Sequence, residues 1–430
     1  MNIAAYPTHE LTSTTQVAHL PVIPSHWEVR RVKYASNLKS EKIASKGCDL
    51  PYIGMENVQS WSGNLLEGGS EVEGLATTFE AGDILFGKLR PYLAKVVKPG
   101  FSGICSSEFL VFQSTKDTFG DFLAYALRSS DFISLINGST YGAKMPRANP
   151  DFIANAEIPF PPLPEQRAIA AFLDNKSAKI DQAVRIKEAQ IKLLRERRQI
   201  LIQQAVTRGL NPDAPMKDSG IDWIGEIPLH WHVKRLRHAT QISPSRRVDG
   251  NMGRNDHVVF LPMEAVGTNG GVRETFICSS KEVSEGFTYF QRGDVIMAKI
   301  TPCFENGKGA FLEGLLSEYG FGTTELHVLR PKEITGKFLY YFISRSDFRK
   351  RGEVFMVGSA GQKRVSTGYL KDQPISVPPI NEQKAIVSFL DNAGGKIDKA
   401  ISIKQEQISK LKEYKTTLIN AAVTGKIKVS

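Results

Sequence analysis

An internal duplication constrains this 430-residue chain more than any other feature of its sequence. Residues 161–184 match residues 378–401 at 14 of 24 aligned positions. Shorter matches pair 23–31 with 227–235, 81–85 with 292–296, and 129–132 with 345–348. A period near 217 residues is far too long for a solenoid, so we infer two copies of one module of domain size.

Each copy consists of a globular part followed by a helical part. Short apolar runs broken by Gly, Pro and Asn, such as 83–86 and 294–297, predict strands, and short helices are expected at 122–127 and 338–343. We therefore predict an α+β fold with two strand-rich globular domains. The expected boundaries are 1–160 for the first globular domain, with 1–20 as an N-terminal extension, 161–209 for the first helical region, 210–377 for a linker and the second globular domain, and 378–430 for the second helical region.

The helical parts predict a coiled coil between the two copies. In each copy a short helix is expected to end at Phe-Leu-Asp-Asn, and a long helix follows over 177–208 and 396–424. The long helices keep a heptad of apolar residues, which are Ile180, Val184, Ile191, Leu194, Leu201 and Ala205 in the first and Ile397, Ile401, Ile408, Leu411, Leu418 and Ala422 in the second. The heptad is compatible with parallel or antiparallel pairing.

Cations interrupt both heptads at matching positions. They are Lys187 and Arg198 in the first helix and Lys404 and Lys415 in the second. Because a buried cation without a partner is costly, we expect these side chains to reach solvent or acidic partners such as Glu196 or Glu413. Our hypothesis is that the four cations set the register and direction of helix pairing.

The positive charge of the chain is concentrated in the helical parts. The net charge is +10, and residues 176–209 carry 9 basic and 3 acidic side chains while 394–430 carry 8 and 3. Such a balance favours nucleic acid as a partner, although two solvated basic helices would carry the same charge.

Cysteine spacing and hydropathy predict a cytoplasmic protein. The four cysteines form no Cys-x-x-Cys pair, which indicates reduced thiols and neither a disulfide framework nor a zinc site. No secretory signal and no apolar run long enough to span a bilayer are visible.

No catalytic motif is complete. Residues 82–88 fit the first seven places of a phosphate-binding loop, but Leu89 stands where a hydroxyl is required. Asp83 and Lys88 lack the second carboxylate of a nuclease metal centre, so Asp83 is interpreted as a structural residue at the start of a strand. We also find neither an Asn-Pro-Pro-Tyr methyltransferase motif nor a hydrolase motif. We therefore expect no catalytic residue and no cofactor in this chain.

His230-Trp231-His232 contains side chains that can bind metals. The first copy has Glu28 in place of the last histidine, so we interpret the tryptophan as the packing residue and expect no metal site.

The candidate DNA-binding residues are basic side chains clustered with glycine, proline and aromatic residues. Lys144 and Arg147 in one loop match Lys363 and Arg364 in the equivalent loop of the second copy. The other candidates are Lys88, Arg90 and Tyr92 on an expected hairpin, Lys299 at the position that matches Lys88, and Arg246 and Arg247 in a further loop. Such side chains can contact guanine edges or phosphates, although a single basic loop is more often simply solvated.

Together these features resemble the specificity (S) subunit of type I restriction-modification systems. The resemblance rests on Pro-Pro-Leu-Pro-Glu-Gln at 161–166, Pro-Pro-Ile-Asn-Glu-Gln at 378–383, the long helices, and the linker from 209 to 228. It covers residues 23–429 and leaves residues 1–20 outside.

The resemblance implies a non-catalytic subunit with two target recognition domains, each reading half of a split sequence in double-stranded DNA. It further implies that the long helices form an antiparallel coiled coil that sets the unread spacer. Two modification subunits would bind S-adenosylmethionine and methylate adenine, and restriction subunits would use ATP and Mg²⁺. A stand-alone two-domain DNA-binding protein and, less favoured, a duplicated nuclease remain as alternatives.

Overall fold

The computed structural model describes residues 6–68, 74–244, 257–273, 275–283, 285–359 and 361–429. They form two compact units, the first comprising Met1–Glu188 with Lys404–Ser430 and the second Ala189–Ile403. Each unit therefore contains one globular part together with a portion of each long helix.

The first unit is built around two four-stranded sheets. Its strands are β1 (Thr12–Thr14), β2 (Val22–Pro24), β3 (Glu28–Arg31), β4 (Ser36–Lys39), β5 (Lys42–Ala44), β6 (Tyr52–Ile53), β7 (Leu75–Phe79), β8 (Ile84–Gly87), β9 (Val96–Val97), β10 (Gly103–Ser106), β11 (Phe109–Ser114) and β12 (Glu157–Phe160). Its helices are α1 (Val32–Ala35), α2 (Gly120–Leu127), α3 (Ser130–Gly138), α4 (Pro150–Asn155) and the first part of α5 (Leu163–Arg208). The sheet orders are β5-β7-β10-β6, with β10 and β6 parallel, and β4-β11-β8-β9.

The second unit repeats this plan. Its strands are β13 (Met216–Asp218), β14 (Glu226–Pro228), β15 (His232–Arg235), β16 (Thr240–Ile242), β17 (His257–Leu261), β18 (Phe276–Ser279), β19 (Thr288–Gln291), β20 (Val295–Ala298), β21 (Gly309–Phe311), β22 (Tyr319–Gly322), β23 (Leu326–Pro331), β24 (Met356–Val357), β25 (Arg364–Val365) and β26 (Pro374–Val377). Its helices are α6 (Leu236–Ala239), α7 (Ser280–Val283), α8 (Gly336–Ile343), α9 (Ser346–Val354), α10 (Thr367–Asp372) and the first part of α11 (Ile380–Val423). The sheets β16-β23-β20-β21 and β18-β17-β22-β19 confirm the predicted pair of strand-rich α+β domains.

The repeat extends into the segment that the sequence assigned to an N-terminal extension. In the first unit β1 pairs with β2, and in the second β13 of the linker pairs with β14 in the same antiparallel arrangement. The linker is therefore a folded part of the second unit, and its hairpin has a counterpart near the N-terminus.

The long helices are continuous, so the prediction of a short helix followed by a long one was wrong. Helix α5 has 46 residues and α11 has 44. The backbone stays helical through both Phe-Leu-Asp-Asn segments, and the leucine of each segment is buried. In the first segment Leu173 is buried, and Asp174 accepts a hydrogen bond from Tyr125 of α2 at 2.7 Å.

Within the first unit the two long helices run antiparallel. Asp181 of α5 accepts hydrogen bonds from the Lys415 ammonium of α11 at 2.7 and 2.9 Å. Further along α5, Lys187 donates to the Gln407 amide oxygen at 2.7 Å. Because residue numbers rise along one helix as they fall along the other, the pairing is antiparallel, which confirms the direction implied by the resemblance.

Two of the four core cations, Arg198 and Lys415, bind acidic partners on the opposite helix rather than on their own. In the second unit Arg198 of α5 donates to Asp398 of α11 at 2.7 Å. Asp398 matches Asp181, and Arg198 matches Lys415, at the 217-residue period. The duplication therefore makes the same ion pair twice with the helices exchanged, and Glu196 and Glu413 are not the partners that the structure shows for these cations.

The register hypothesis predicts a structural change when all four cations are replaced by leucine. Cross-helix ion pairs favour one register, whereas leucines at the same positions pack acceptably in registers shifted along the helices. We expect crystal structures of the quadruple variant to show displaced or mixed helix pairing. A variant with the exposed Lys179, Lys192, Lys399 and Lys410 replaced by leucine is the control. Unchanged pairing in the first variant would contradict the hypothesis.

Hydropathy adds one observation. Among the described residues, no helix combines the length and the apolarity that crossing a membrane would require.

Candidate nucleic-acid interface

The repeated sequence motifs attach each globular part to its helix. In the first unit Glu165 of α5 accepts hydrogen bonds from His26 at 2.8 Å and from the Trp27 indole at 3.0 Å. In the second unit Glu382 accepts from His230 at 2.6 Å and from Trp231 at 2.9 Å. These contacts explain the repeated His-Trp and Glu-Gln pairs. The described residues contain no group of three or more potential metal-binding side chains.

The glutamine that follows each of these glutamates is buried and fixes the loop before a short helix. Gln166 accepts from the Phe119 amide at 2.7 Å, and Gln383 accepts from the Thr335 amide at 2.7 Å. Each also donates to a proline carbonyl at 2.9 Å. Replacing either side chain by an apolar one would leave buried backbone groups without partners.

The aspartates of the Phe-Leu-Asp-Asn segments bind tyrosines. Asp391 accepts from the Tyr341 hydroxyl at 2.6 Å, as Asp174 does from Tyr125. Burial raises the pKa of Tyr125 and of Tyr341, so both hydroxyls remain protonated donors. The motifs that carry the family resemblance are thus explained by docking contacts.

The aspartate that directly precedes β8 or β20 is structural, in agreement with the sequence interpretation. Asp294 is buried and binds Arg330 through two hydrogen bonds at 2.8 and 3.0 Å. The equivalent Asp83 binds Lys39 at 2.8 Å. Both carboxylates are occupied by cations and lie within the fold.

In the first unit two predicted basic clusters lie together on one surface. Strands β8 and β9 form the expected hairpin. The Ala148 amide donates to the Lys88 carbonyl at 3.0 Å, and the Arg90 amide donates to the Pro146 carbonyl at 2.7 Å. The loop that carries Lys144 and Arg147 therefore packs against the hairpin that carries Lys88 and Arg90. Tyr92 lies in the turn of this hairpin and is 45% exposed.

The second unit brings the equivalent residues together in the same way. The Val365 amide donates to the Lys299 carbonyl at 2.9 Å, and the Thr301 amide donates to the Lys363 carbonyl at 2.9 Å. Lys299, Lys363 and Arg364 therefore share one surface. Arg246 and Arg247 lie outside the described residues, so their candidate role stays a prediction.

Each surface contains a glutamate that the sequence reasoning missed. Glu108 binds the Nε and Nη2 atoms of Arg147 at 2.8–3.2 Å. Glu325 binds the same atoms of Arg364 at 2.8–3.2 Å. The hydrogen bond from Arg364 lowers the pKa of Glu325, and the hydrogen bonds to the glutamates raise the pKa of Arg147 and of Arg364, so Glu325 and both arginines are charged at neutral pH.

A sequence signal for these glutamates exists. Glu108 and Glu325 are 217 residues apart, as are Arg147 and Arg364. The runs Ser-Ser-Glu at 106–108 and Thr-Thr-Glu at 323–325 stand before equivalent strands. A comparison of acidic residues between the two copies would have identified Glu108 and Glu325, whereas a search for clusters of basic residues does not.

The side chains beside the two arginines differ. Tyr141 pairs with Arg147 across a backbone bridge and is 62% exposed. In the second unit Val357 of β24 pairs with Arg364 of β25 and is 73% exposed. The two surfaces thus share a charged centre and differ in the apolar residue next to it.

Comparison with known proteins identifies the family. The model of the type I restriction modification DNA specificity domain matches residues 24–192 and 264–413, well over half of the chain. The chain belongs to this family. The match confirms the resemblance found in the sequence, and its two segments fall in the two copies of the repeat.

Two relatives and one solved structure agree with this assignment. The chain is 41% identical over 165 residues to the type I restriction enzyme EcoAI specificity subunit of Escherichia coli, covering 38% of this chain and 28% of that relative. It is 23% identical to the MjaVIII specificity subunit of Methanocaldococcus jannaschii over 95% of this chain and 94% of that one. A chain solved in work on assembly and conformational transition of the type I R-M system shares the fold, with a TM-score of 0.68, 19% identity, and coverage of 93% and 98%.

Proposed function

We propose that this chain recognises a split sequence in double-stranded DNA and directs partner methyltransferase and restriction subunits to it. One observation carries the proposal: the Lys-Glu-Arg arrangement of one globular part occurs again in the other with the same backbone contacts. A chain with two equivalent binding surfaces suits a target with two parts, as dimeric DNA-binding proteins suit paired half-sites.

Each globular part would bind one half-site through its basic surface. In this proposal the contacts come from Lys88, Arg90, Tyr92, Lys144 and Arg147 in the first part and from Arg246, Arg247, Lys299, Lys363 and Arg364 in the second. Lysines there would neutralise phosphates, while arginines and the exposed apolar side chains would contact base edges. The difference between Tyr141 and Val357 supports half-sites of different sequence.

The long helices would set the length of the unread spacer. Their antiparallel pairing, seen in the contacts of Asp181 with Lys415 and of Lys187 with Gln407, would give a coiled coil of fixed register. A regular helix rises about 1.5 Å per residue, so the number of residues in the coil translates directly into length.

We infer that this chain binds and does not catalyse. The carboxylates that repeat in both copies hold the fold together, as Glu165 does with Trp27 and Asp294 with Arg330. S-adenosylmethionine, ATP and Mg²⁺ would be bound by two modification subunits and by restriction subunits. Because the proposed target is cellular DNA, the complex would act in the cytoplasm.

The proposal is tested by adenine methylation. The chain is expressed with its modification subunit, and plasmid DNA is sequenced for N6-methyladenine with and without it. We expect methylation at a split motif that requires this chain. A modification subunit that binds S-adenosylmethionine but methylates nothing in the presence of this chain would contradict the proposal and favour a stand-alone DNA-binding protein.

A further inference from the structure

The geometry of each arginine leaves one edge of its guanidinium available. Glu108 occupies the side of Arg147 formed by Nε and Nη2, and Glu325 occupies the same side of Arg364. Among the described residues Nη1 of Arg147 has no hydrogen-bond partner, while Nη1 of Arg364 donates once to the Gln362 carbonyl at 3.2 Å. Each arginine therefore keeps at least one unused N–H on Nη1 and one on Nη2, which point away from the carboxylate.

Stabilisation of the fold does not account for the ion pairs that Arg147 and Arg364 make with their glutamates. The side chains of Arg147 and Arg364 are 36% and 42% exposed. Exposed ion pairs add little to stability because solvent screens them and two long side chains lose rotamer freedom. Their value lies instead in orientation, because a carboxylate that binds two nitrogens fixes the plane of the guanidinium.

The carboxylate also changes what the arginine can bind. Each glutamate cancels most of the charge of its arginine, so the attraction of the pair for phosphate is weak. The free N–H groups remain directed donors, and two parallel donors match the O6 and N7 acceptors of guanine in the major groove. An arginine with a fixed plane and little net charge suits a base edge better than a phosphate.

The neighbouring lysines supply the missing positive charge. The Lys88 amide donates to the Glu108 carbonyl at 2.9 Å, and the Lys299 amide donates to the Glu325 carbonyl at 2.9 Å. These backbone contacts hold each lysine beside its Arg-Glu pair. The lysine can bind a phosphate while the arginine reaches a base.

We propose that Glu108 and Glu325 are positioning residues that orient Arg147 and Arg364 to read one guanine in each half-site. This inference rests on the proposed function, since it assumes that the two basic surfaces bind the two halves of a DNA target. It adds the base that is recognised and two residues that do not themselves contact DNA.

The experiment replaces single guanines by 7-deazaguanine, which lacks the N7 acceptor but still pairs with cytosine. The chain in complex with its modification subunits is titrated with DNA duplexes that contain the split motif identified by methylation sequencing. Each duplex carries one replaced guanine. For the natural chain we expect one guanine in each half-site at which replacement raises Kd about tenfold, the loss of one hydrogen bond to a charged donor.

The matched variants are Glu108→Gln and Glu325→Gln, which differ only in the repeat copy that they affect. With Glu325→Gln we expect the tenfold effect to fall below about threefold in one half-site and to persist in the other. Glu108→Gln should give the reciprocal result. A thermal unfolding midpoint equal to that of the natural chain shows that the fold is intact. Should Glu325→Gln not fold, Arg364→Lys keeps the charge, removes the fork, and should give the same half-site loss.

The possible results distinguish a failure of the proposed function from a failure of the inference alone. If no split motif is methylated or bound, the proposed function fails and the inference fails with it. If a split motif exists but no guanine is sensitive, or if the glutamine variants keep full sensitivity in both half-sites, only the inference is overturned. If the variants weaken binding equally on natural and substituted DNA, the glutamates have a structural role alone.

Discussion

Charge reversal at Lys363 and Arg364 is expected to abolish recognition of one half of the DNA target and to leave the other half's sequence unchanged. Lys363→Glu with Arg364→Glu removes two cations from the second surface and puts a new carboxylate beside Glu325. The lost contacts and the added repulsion of phosphate should each contribute about tenfold, so binding should weaken by about a hundredfold or more.

The measurement is the methylated motif of the complex, determined by sequencing. We expect the variant to methylate rarely or to accept altered sequences in one half-site only. Lys332→Glu with Lys371→Glu, at exposed positions of the same unit, changes the net charge equally and should preserve the motif. A loss of specificity spread over both half-sites, or an equal loss in the control, would refute the assignment of this surface to one half-site.

A heptad inserted into both long helices is expected to lengthen the spacer by about three base pairs. Seven helical residues add about 10.5 Å, and one base pair occupies about 3.4 Å along the duplex. The insertions belong between Glu188 and Ala189 and between Ile403 and Lys404. At these positions each long helix passes from one compact unit to the other. At these points the ion pairs within each unit, such as Arg198 with Asp398, keep their partners.

The motif methylated by the double insertion variant reports the spacer directly. A heptad in α5 alone shifts one helix against the other, so this control should lose specific methylation rather than change the spacer. An unaltered spacer with efficient methylation by the double variant would show that the helices do not set the distance.

Structural features that depend on residues close together in the sequence were predictable, whereas features that depend on contacts between distant residues were not. The strand-rich domains and the helical parts were predictable because hydrophobic periodicity is local and the duplication states it twice. The end of the short helix was mispredicted at 172–175, since Leu173 and Asp174 are buried or bonded by residues far away in the chain. Local sequence contains no information about such partners.

At the candidate interface the basic residues were predictable from the sequence, whereas their contacts with distant residues were not. The basic loops were found from composition, and the structure adds that the loop of Arg147 packs on the hairpin of Lys88. Glu108 was missed because it stands 39 residues before its partner and carries the opposite charge to the one sought. Lys415 was paired with the wrong acid for a related reason, since Asp181 is 234 residues away from it.

The sequence by itself determined that this chain is a duplicated α+β protein of the type I restriction-modification DNA specificity family with two long heptad helices. The duplication, the fold class and the heptads follow from repetition and periodicity, which can be read along the chain, and the family follows from the resemblance of its motifs. Only the tertiary structure decided which carboxylate meets which cation, and that the repeated motifs dock each globular part on its helix. The physical reason is that hydrogen bonds and ion pairs depend on distances in space, and folding brings together residues that the sequence separates.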